Sequence, residues 1–136
     1  MRLTLITVAF NSQTTIRESF ESVQCQNQDG FELEYILVDG GSTDETIAIA
    51  NQYQNILSKV ISERDDGIYD AMNKGLRLAT GQIVGFLNSD DTFATQVVLK
   101  QVIDTFNSNH SLQVVYGDVN YCLLYTSPSP RDKRQS

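Results

Sequence analysis

Ile83-Val-Gly-Phe-Leu-Asn-Ser-Asp-Asp91 is a short apolar run that ends abruptly in two adjacent carboxylates. An apolar run of this length, bounded by turn residues, reads as a strand buried on both faces of a sheet. Adjacent carboxylates repel one another, so a site that keeps both ionised supplies a cation or a strong set of donors. Oxygen-only ligands suit Mg²⁺ or Mn²⁺, which take one or two carboxylates while substrate phosphates complete the shell. The same residues allow a plainer reading, in which Asn88-Ser89-Asp90-Asp91-Thr92 is a polar turn capping the helix that follows.

Upstream of this stretch, strands and helices alternate. Leu3 to Phe10 is apolar and β-branched and stops at Asn11-Ser12, which predicts a first strand. Ile16, Phe20 and Val23 recur at helical spacing until the Asp29-Gly30 turn. Glu34 to Asp39 is a second strand. Ser42 with Glu45 has the form of a capping box, which predicts a helix from there to about Gln54. Lys59 to Ser62 is a short third strand. Ile68, Ala71, Met72, Gly75, Leu76 and Ala79 then define one buried stripe of a third helix, with Asp70, Asn73, Lys74 and Arg77 on its solvated face.

Downstream, Leu99, Val102, Ile103 and Phe106 predict a fourth helix, and Val114 to Gly117 a fifth strand. Strict alternation implies parallel pairing through crossovers, hence an α/β, Rossmann-like parallel sheet with helices on both faces. In such a sheet ligands collect at the carboxyl ends of the strands. Asn11 and Ser12, Asp39, Glu63 to Asp66, and Asp90 with Asp91 all fall there, which concentrates carboxylate on one edge.

The 136 residues are one domain's worth of chain, and 40% hydrophobic with 20% charged content is ordinary for a globular protein. A net charge of -7 argues against a nucleic-acid partner, which requires clustered Lys and Arg. No apolar run is long enough to span a bilayer, and the N-terminus lacks the pattern of a secretory signal. The expected location is cytoplasmic, extending to the inner face of the membrane. Cys25 and Cys122 fit no zinc or redox spacing, and with His110 as the single histidine a Ser-His-Asp or Cys-His mechanism is not expected.

From Cys122 the character changes. Residues 122–136 have no period, two prolines at alternate positions and a basic end, the composition of a disordered terminus. The string Cys122 to Asp132 resembles the conceptual translation of a sequencing-library adapter, so the expected division is a folded part over 1–121 and a non-native tail over 122–136. Without the tail the chain holds 7 basic and 16 acidic residues, a net of -9.

Thr7-Val-Ala-Phe-Asn11, Val38-Asp-Gly-Gly-Ser-Thr-Asp44, Ser62-Glu-Arg-Asp-Asp-Gly-Ile-Tyr-Asp-Ala-Met-Asn-Lys-Gly75 and Gly81 to Asp91 together resemble the nucleotide-sugar-binding half of a family 2 glycosyltransferase of the GT-A fold, most of all bacterial enzymes of surface-polysaccharide assembly. The resemblance covers residues 1 to about 121 with four motifs in order. It implies that Thr7, Ala9, Asn11 and Asp39 hold a uracil-like base, that Asp65 faces the nucleoside, and that Asn73 and Lys74 belong to the nucleotide-binding set. It also implies that Asp90 and Asp91 hold Mg²⁺ or Mn²⁺ on the diphosphate. The implied reaction is inverting transfer of a sugar from a nucleotide-diphospho-sugar to a glycan or lipid-linked acceptor.

Two departures from the family pattern stand out. Asn88 occupies a position that is often acidic, and Met72 one that is often arginine, which leaves Lys74 or Arg77 as phosphate partners. The transfer also needs a general base. In the family it comes from the acceptor-binding half, beyond residue 121; Asp118 is the late acidic candidate within the chain. A binding module without transfer activity is therefore the alternative reading. A nucleotidyltransferase would carry a basic glycine-rich loop after the first strand, where Ala9-Phe-Asn-Ser-Gln13 supplies none. A dinucleotide dehydrogenase would carry Gly-x-Gly-x-x-Gly, which is absent.

Overall fold

Apolar side chains at alternating positions of two long strands build the centre of the molecule. In the computed structural model, which describes residues 1–108, 115–118 and 123–126, β1 (Arg2–Ala9) and β2 (Glu32–Asp39) pair in parallel over their full length. β3 (Lys59–Ser62) adds to β2, and β4 (Ile83–Phe86) adds to the other side of β1, again in parallel. The sheet order is β3-β2-β1-β4. The chain therefore steps outward from β1 to β3, then returns to the opposite side of β1. The reversal lies between β1 and β4.

The pleat of β1 and β2 sends alternate side chains to opposite faces. Leu3, Leu5, Tyr35 and Leu37 meet α1 (Ile16–Gln24), α2 (Thr46–Asn51) and α4 (Val98–Ser108) through Phe20, Val23, Ile49, Leu99 and Ile103. Ile6, Ile36 and Val38 face the other way, onto Ala71 of α3 (Ile68–Leu78). Helices thus cover both faces, as the alternation predicts. Within the larger layer, the Tyr35 hydroxyl lies 2.9 Å from that of Thr7, both fully buried. Burial raises the Tyr35 phenol well above its ordinary value, although the hydroxyls of Thr7 and Ser19 work against the shift.

α3 rides directly on β1 because Gly75 has no Cβ. A Cβ there would lie 2.7 Å from Cγ2 of Ile6. The predicted six-residue stripe is only partly inward: Ala71 and Gly75 are buried, whereas Ile68 and Leu76 are 53% and 45% exposed. The helix meets the sheet along a narrow line of small residues, and its larger apolar side chains flank that line.

The capping-box reading is corrected. α2 begins at Thr46, no side chain caps it from Glu45, and Ser42 is committed elsewhere, donating its hydroxyl to Asp39. Asp44 shapes the approach instead, accepting from the backbone N–H of Thr46 at 2.9 Å and from its hydroxyl at 2.5 Å. The acidic pair does not cap the next helix either, because α4 starts at Val98. β5 (Val115–Asp118) forms close to its predicted position but joins β6 (Leu123–Thr126) in an antiparallel two-stranded sheet, not the parallel one. Asp118 is its last residue. β6 falls within the stretch expected as a structureless tail; the rest of 122–136 lies outside the described residues, as does His110. Leu123-Leu-Tyr-Thr126 has a bulky, strand-compatible composition that the prolines beyond it obscure. Among the described residues no helix is long and apolar enough to cross a membrane.

Candidate functional site at the carboxyl edge of the sheet

The carboxyl ends of β1, β2, β3 and β4 open onto one edge, and the loops that leave them are tied to one another. Asp39, at the end of β2, is fully buried. Its Oδ2 accepts from the backbone N–H groups of Gly41 at 3.1 Å and Ser42 at 2.8 Å and from the Ser62 hydroxyl at 2.9 Å, while Oδ1 accepts the Ser42 hydroxyl at 2.5 Å. This carboxylate joins the ends of β2 and β3. Ser42 in turn accepts from the backbone N–H of Asn11 at 2.7 Å, and Asn11 Oδ1 accepts from Thr43 N–H at 2.9 Å. Asn11 sits at φ 49°, a conformation asparagine tolerates better than most residues. The β1 loop is thereby fixed against the β2 loop.

Two adjoining cavities lie over this frame. One, of about 440 Å³, is lined by Val8, Ala9 and Phe10 from β1, by Arg64 and Asp65 from the β3–α3 loop, and by Ile68 and Ala71 of α3. The second, of about 430 Å³, is lined by Asn11, Ser12, Thr14, Asn88, Ser89 and Asp90. Both are bordered by Val8 and Ile68, so together they form one cleft with an apolar lobe and a polar lobe. The polar lobe bridges the end of β1 and the end of β4, where the strand order reverses. Open α/β sheets place ligands at such a crevice.

Asp65 reaches the apolar lobe because Gly40 leaves room for it; a Cβ on Gly40 would lie 2.8 Å from Asp65 Oδ2. Its Oδ1 accepts from Gly67 N–H at 3.1 Å. Across the polar lobe the hydroxyls of Ser12 and Ser89 lie 2.8 Å apart, joining the β1 loop to the acidic loop. Asp90 is exposed and Asp91 partly exposed, with the Asp91 N–H donating to Asn88 O at 3.0 Å. The donor set fits a hard divalent cation, since both side chains offer only oxygen. Among the described residues no third His, Cys, Asp or Glu joins them, so phosphate and water would have to complete the shell.

Of the residues predicted from sequence, Ala9, Asn11, Asp65 and Asp90 line the cleft, with Asp91 beside them. Asp39 lies behind it as the tie between loops. Thr7 does not reach it: the pleat turns its side chain into the core against Tyr35. Asn73 is exposed on α3 and lines neither lobe. Lys74 is committed to the β3–α3 loop, donating to Arg64 O at 3.0 Å and pairing with Glu63 at 3.1 Å and Asp70 at 3.7 Å. Burial works to lower its pKa, but the hydrogen bond and charge of Glu63, then Asp70 and Asp65, raise it. Ser12 and Arg64, which the sequence placed at the strand ends without a role of their own, and Ser89 of the acidic loop also line the cleft. Their positions immediately after strand ends were the available signal.

The comparisons with known proteins agree on one family. The family whose model matches the chain is glycosyl transferase family 2, over residues 4–132. A PGL/p-HBAD biosynthesis glycosyltransferase of Mycobacterium bovis is 39% identical over 118 residues, 85% of this chain and 45% of that protein. The chain thus spans about half the length of the curated relatives it matches. Among solved structures, Staphylococcus aureus TarS 1-349 in complex with UDP-GlcNAc superposes with a TM-score of 0.72 at 30% identity, covering 81% of this chain and 32% of that one. A mannosyltransferase from Pyrobaculum calidifontis in complex with GDP-Man and Mn²⁺ superposes with a TM-score of 0.68 at 26% identity, covering 76% and 32%.

Proposed function

Because this chain belongs to glycosyl transferase family 2, we propose that it is the donor-binding part of an inverting transferase that moves a sugar from a nucleotide-diphospho-sugar to a glycan or lipid-linked acceptor. The observation that carries the reading is the two-lobed cleft, whose apolar and polar halves match the two halves of such a donor. A flat base fits between Val8, Ala9 and Ile68, with Asp65 at hand to accept an N–H and Arg64 at the rim. The diphosphate then lies toward Asn11, Ser12 and Asp90.

Asp90 and Asp91 are the residues that would hold Mg²⁺ or Mn²⁺. A divalent cation bound there neutralises charge on the departing nucleoside diphosphate. An acidic edge cannot hold a diphosphate without such help. Asp39 serves from behind, keeping the Gly40-Gly41 turn and the end of β3 in place. In the reaction the acceptor oxygen bonds to the anomeric carbon, the bond from that carbon to the phosphate oxygen breaks with inversion, and the hydroxyl proton passes to a general base. That base is assigned to the acceptor-binding half. The share of the relative covered, 45%, favours a second reading for the chain taken alone, donor binding without transfer.

Calorimetric titration with UDP and UDP-GlcNAc, with and without Mn²⁺, tests the proposal. Binding that strengthens with Mn²⁺ and returns to the metal-free level with EDTA is expected. Absence of any nucleotide binding at millimolar ligand sinks it. Radiolabelled sugar transfer by the 136-residue chain at the rate of a full-length relative would sink the second reading.

A further inference from the structure

The loop between β4 and α4, Leu87–Val97, carries the acidic pair and contains no helix or strand. It is held by one flank of α1. Gln26, just beyond the end of α1, is only 6% exposed although its side chain is a polar amide. Its Nε2 donates to Thr95 O at 2.5 Å and to Ser22 O at 3.4 Å, and its Oε1 accepts from Leu99 N–H at 3.1 Å. Leu99 lies in the first turn of α4, where backbone N–H groups have no partner within the helix. Gln26 therefore caps α4 from another element while gripping the loop that precedes it.

Neighbouring groups extend the grip. Asn27 N–H donates to Gln96 O at 2.7 Å. Ser22 Oγ accepts from Phe93 N–H at 3.1 Å, and the Ser19 hydroxyl is 3.5 Å from Asn88 O. The loop is thus fastened on the near side of Asp90–Asp91 at Asn88 and on the far side at Phe93, Thr95 and Gln96, with the pair spanning the gap. Both ends of a buried amide are in use, so an apolar replacement leaves the Leu99 N–H and the Thr95 carbonyl without their partner.

We infer that Gln26 is a positioning residue for the acidic pair, fixing the return limb of its loop so that Asp90 and Asp91 meet a metal-bound diphosphate together. The inference rests on the assignment of that pair under the proposed function. Loss of an outer partner of a metal site typically weakens the metal by roughly 10–100-fold, and a deficit in that range is expected here. The apolar lobe, built from β1, α3 and the β3–α3 loop, should not notice the change.

The test uses the 136-residue chain and two titrations. Mn²⁺ binding in the presence of UDP is read from loss of the free-ion electron paramagnetic resonance signal, and metal-free uridine binding is read by calorimetry. Gln26→Leu is expected to weaken Mn²⁺ binding by roughly tenfold or more with uridine binding unchanged. Equal loss in both titrations, or loss in neither, overturns the inference. Where Gln26→Leu does not fold, Gln26→Glu serves: it keeps the acceptor for Leu99 but sets a carboxylate against the Thr95 carbonyl, and wild-type Mn²⁺ affinity in that variant overturns the inference too. A chain carrying both Asp90→Asn and Asp91→Asn separates the two failures. If it binds Mn²⁺ with UDP as the wild type does, the assignment of the pair fails and takes the inference with it. If it loses that binding while Gln26→Leu keeps it, the inference alone fails.

Discussion

The two ends of the sheet treat carboxylates in opposite ways. At the amino end, Glu34 of β2 is 8% exposed and surrounded by donors: Thr4 Oγ1 at 2.7 Å, Thr80 N–H at 2.8 Å, Thr80 Oγ1 at 3.0 Å and Lys59 Nζ at 3.1 Å. Burial pushes its pKa up, but the hydrogen bonds from Thr4, Thr80 and Lys59 outweigh it and hold the group at about 2 against an ordinary 4.5. At the carboxyl end, Asp90 is exposed at the edge of the cleft and Asp91 beside it is partly exposed. Asp39 belongs to the same edge yet resembles Glu34, buried and supplied with donors. A carboxylate's role here follows from the donors the fold places around it. Glu34 and Asp39 clamp strands and loops, whereas Asp65 and Asp90 line the cleft.

Substitution at each end should separate these roles. Replacing both Asp90 and Asp91 by Asn is expected to cost more metal-dependent UDP affinity than the roughly 10–100-fold typical of an outer partner, with the urea midpoint moving less than in Glu34→Leu. Glu34→Leu should do the reverse. Thr4 and the Thr80 N–H lose a buried acceptor, so a loss of about 2–3 kcal/mol in urea unfolding is expected, moderated because Lys59 regains water. Uridine binding at the far edge should not change. If Glu34→Leu weakened binding as much as stability, the two ends would be coupled and the contrast would fail.

Acid sharpens the same contrast. The folded pKa of Glu34 lies below its ordinary value, so its contribution to stability is complete above about pH 4.5 and is lost as pH falls towards about 2. Chemical denaturation across that window should show the wild-type stability falling with pH, and the Glu34-dependent part of the slope should vanish in Glu34→Gln.

Much of this arrangement was legible in the order of residues. Four parallel strands, their helices and the edge that gathers the carboxylates follow from apolar period and alternation; β1 and β2 are buried on both faces, whereas β4, expected to be so too, leaves Val84 and Phe86 exposed at the edge of the sheet. Family motifs then placed Ala9, Asn11, Asp65 and Asp90 at one cleft. What could not be read was whether a polar side chain faces a ligand or another loop. Thr7 and Ala9 are two apart on one strand, yet the Thr7 hydroxyl ends against Tyr35 inside the core. Ser42 fits a capping box, but its oxygen accepts from the Asn11 N–H while its hydroxyl donates to Asp39, and the helix begins only at Thr46. Gln26 has no periodic signature, since its partners are 69 and 73 residues away. Such long-range bonds exist only once the sheet has brought the loops together.

Smaller effects are expected where packing, not charge, positions the cleft. Gly75→Ala places a Cβ 2.7 Å from Ile6 Cγ2, so the Ile6 side chain or α3 itself must shift. Overpacking of this kind costs about 1–3 kcal/mol, measured in urea, and shifts Ile68 and Ala71 at the lobe they line. Weaker uridine binding should accompany it.

The smallest expected effect also decides between two roles for Lys74. Its side chain is 13% exposed and its ammonium holds Arg64 O and Glu63, so it braces the loop that presents Arg64 and Asp65 to the apolar lobe. The sequence suggested instead a direct phosphate contact. Lys74→Met keeps the apolar stem and removes the charge. Ion pairs with exposed partners contribute little, so a bracing role predicts a loss of roughly two- to fivefold in uridine affinity. That loss should carry through unchanged to UDP with Mn²⁺, because the phosphates add nothing that Lys74 touches. A phosphate contact predicts the opposite pattern, with uridine binding intact and UDP binding reduced. Calorimetry with the two ligands on one variant distinguishes them, and only the first pattern keeps the Lys74 ammonium on the side of the frame, where its bonds to Arg64 O and Glu63 hold it.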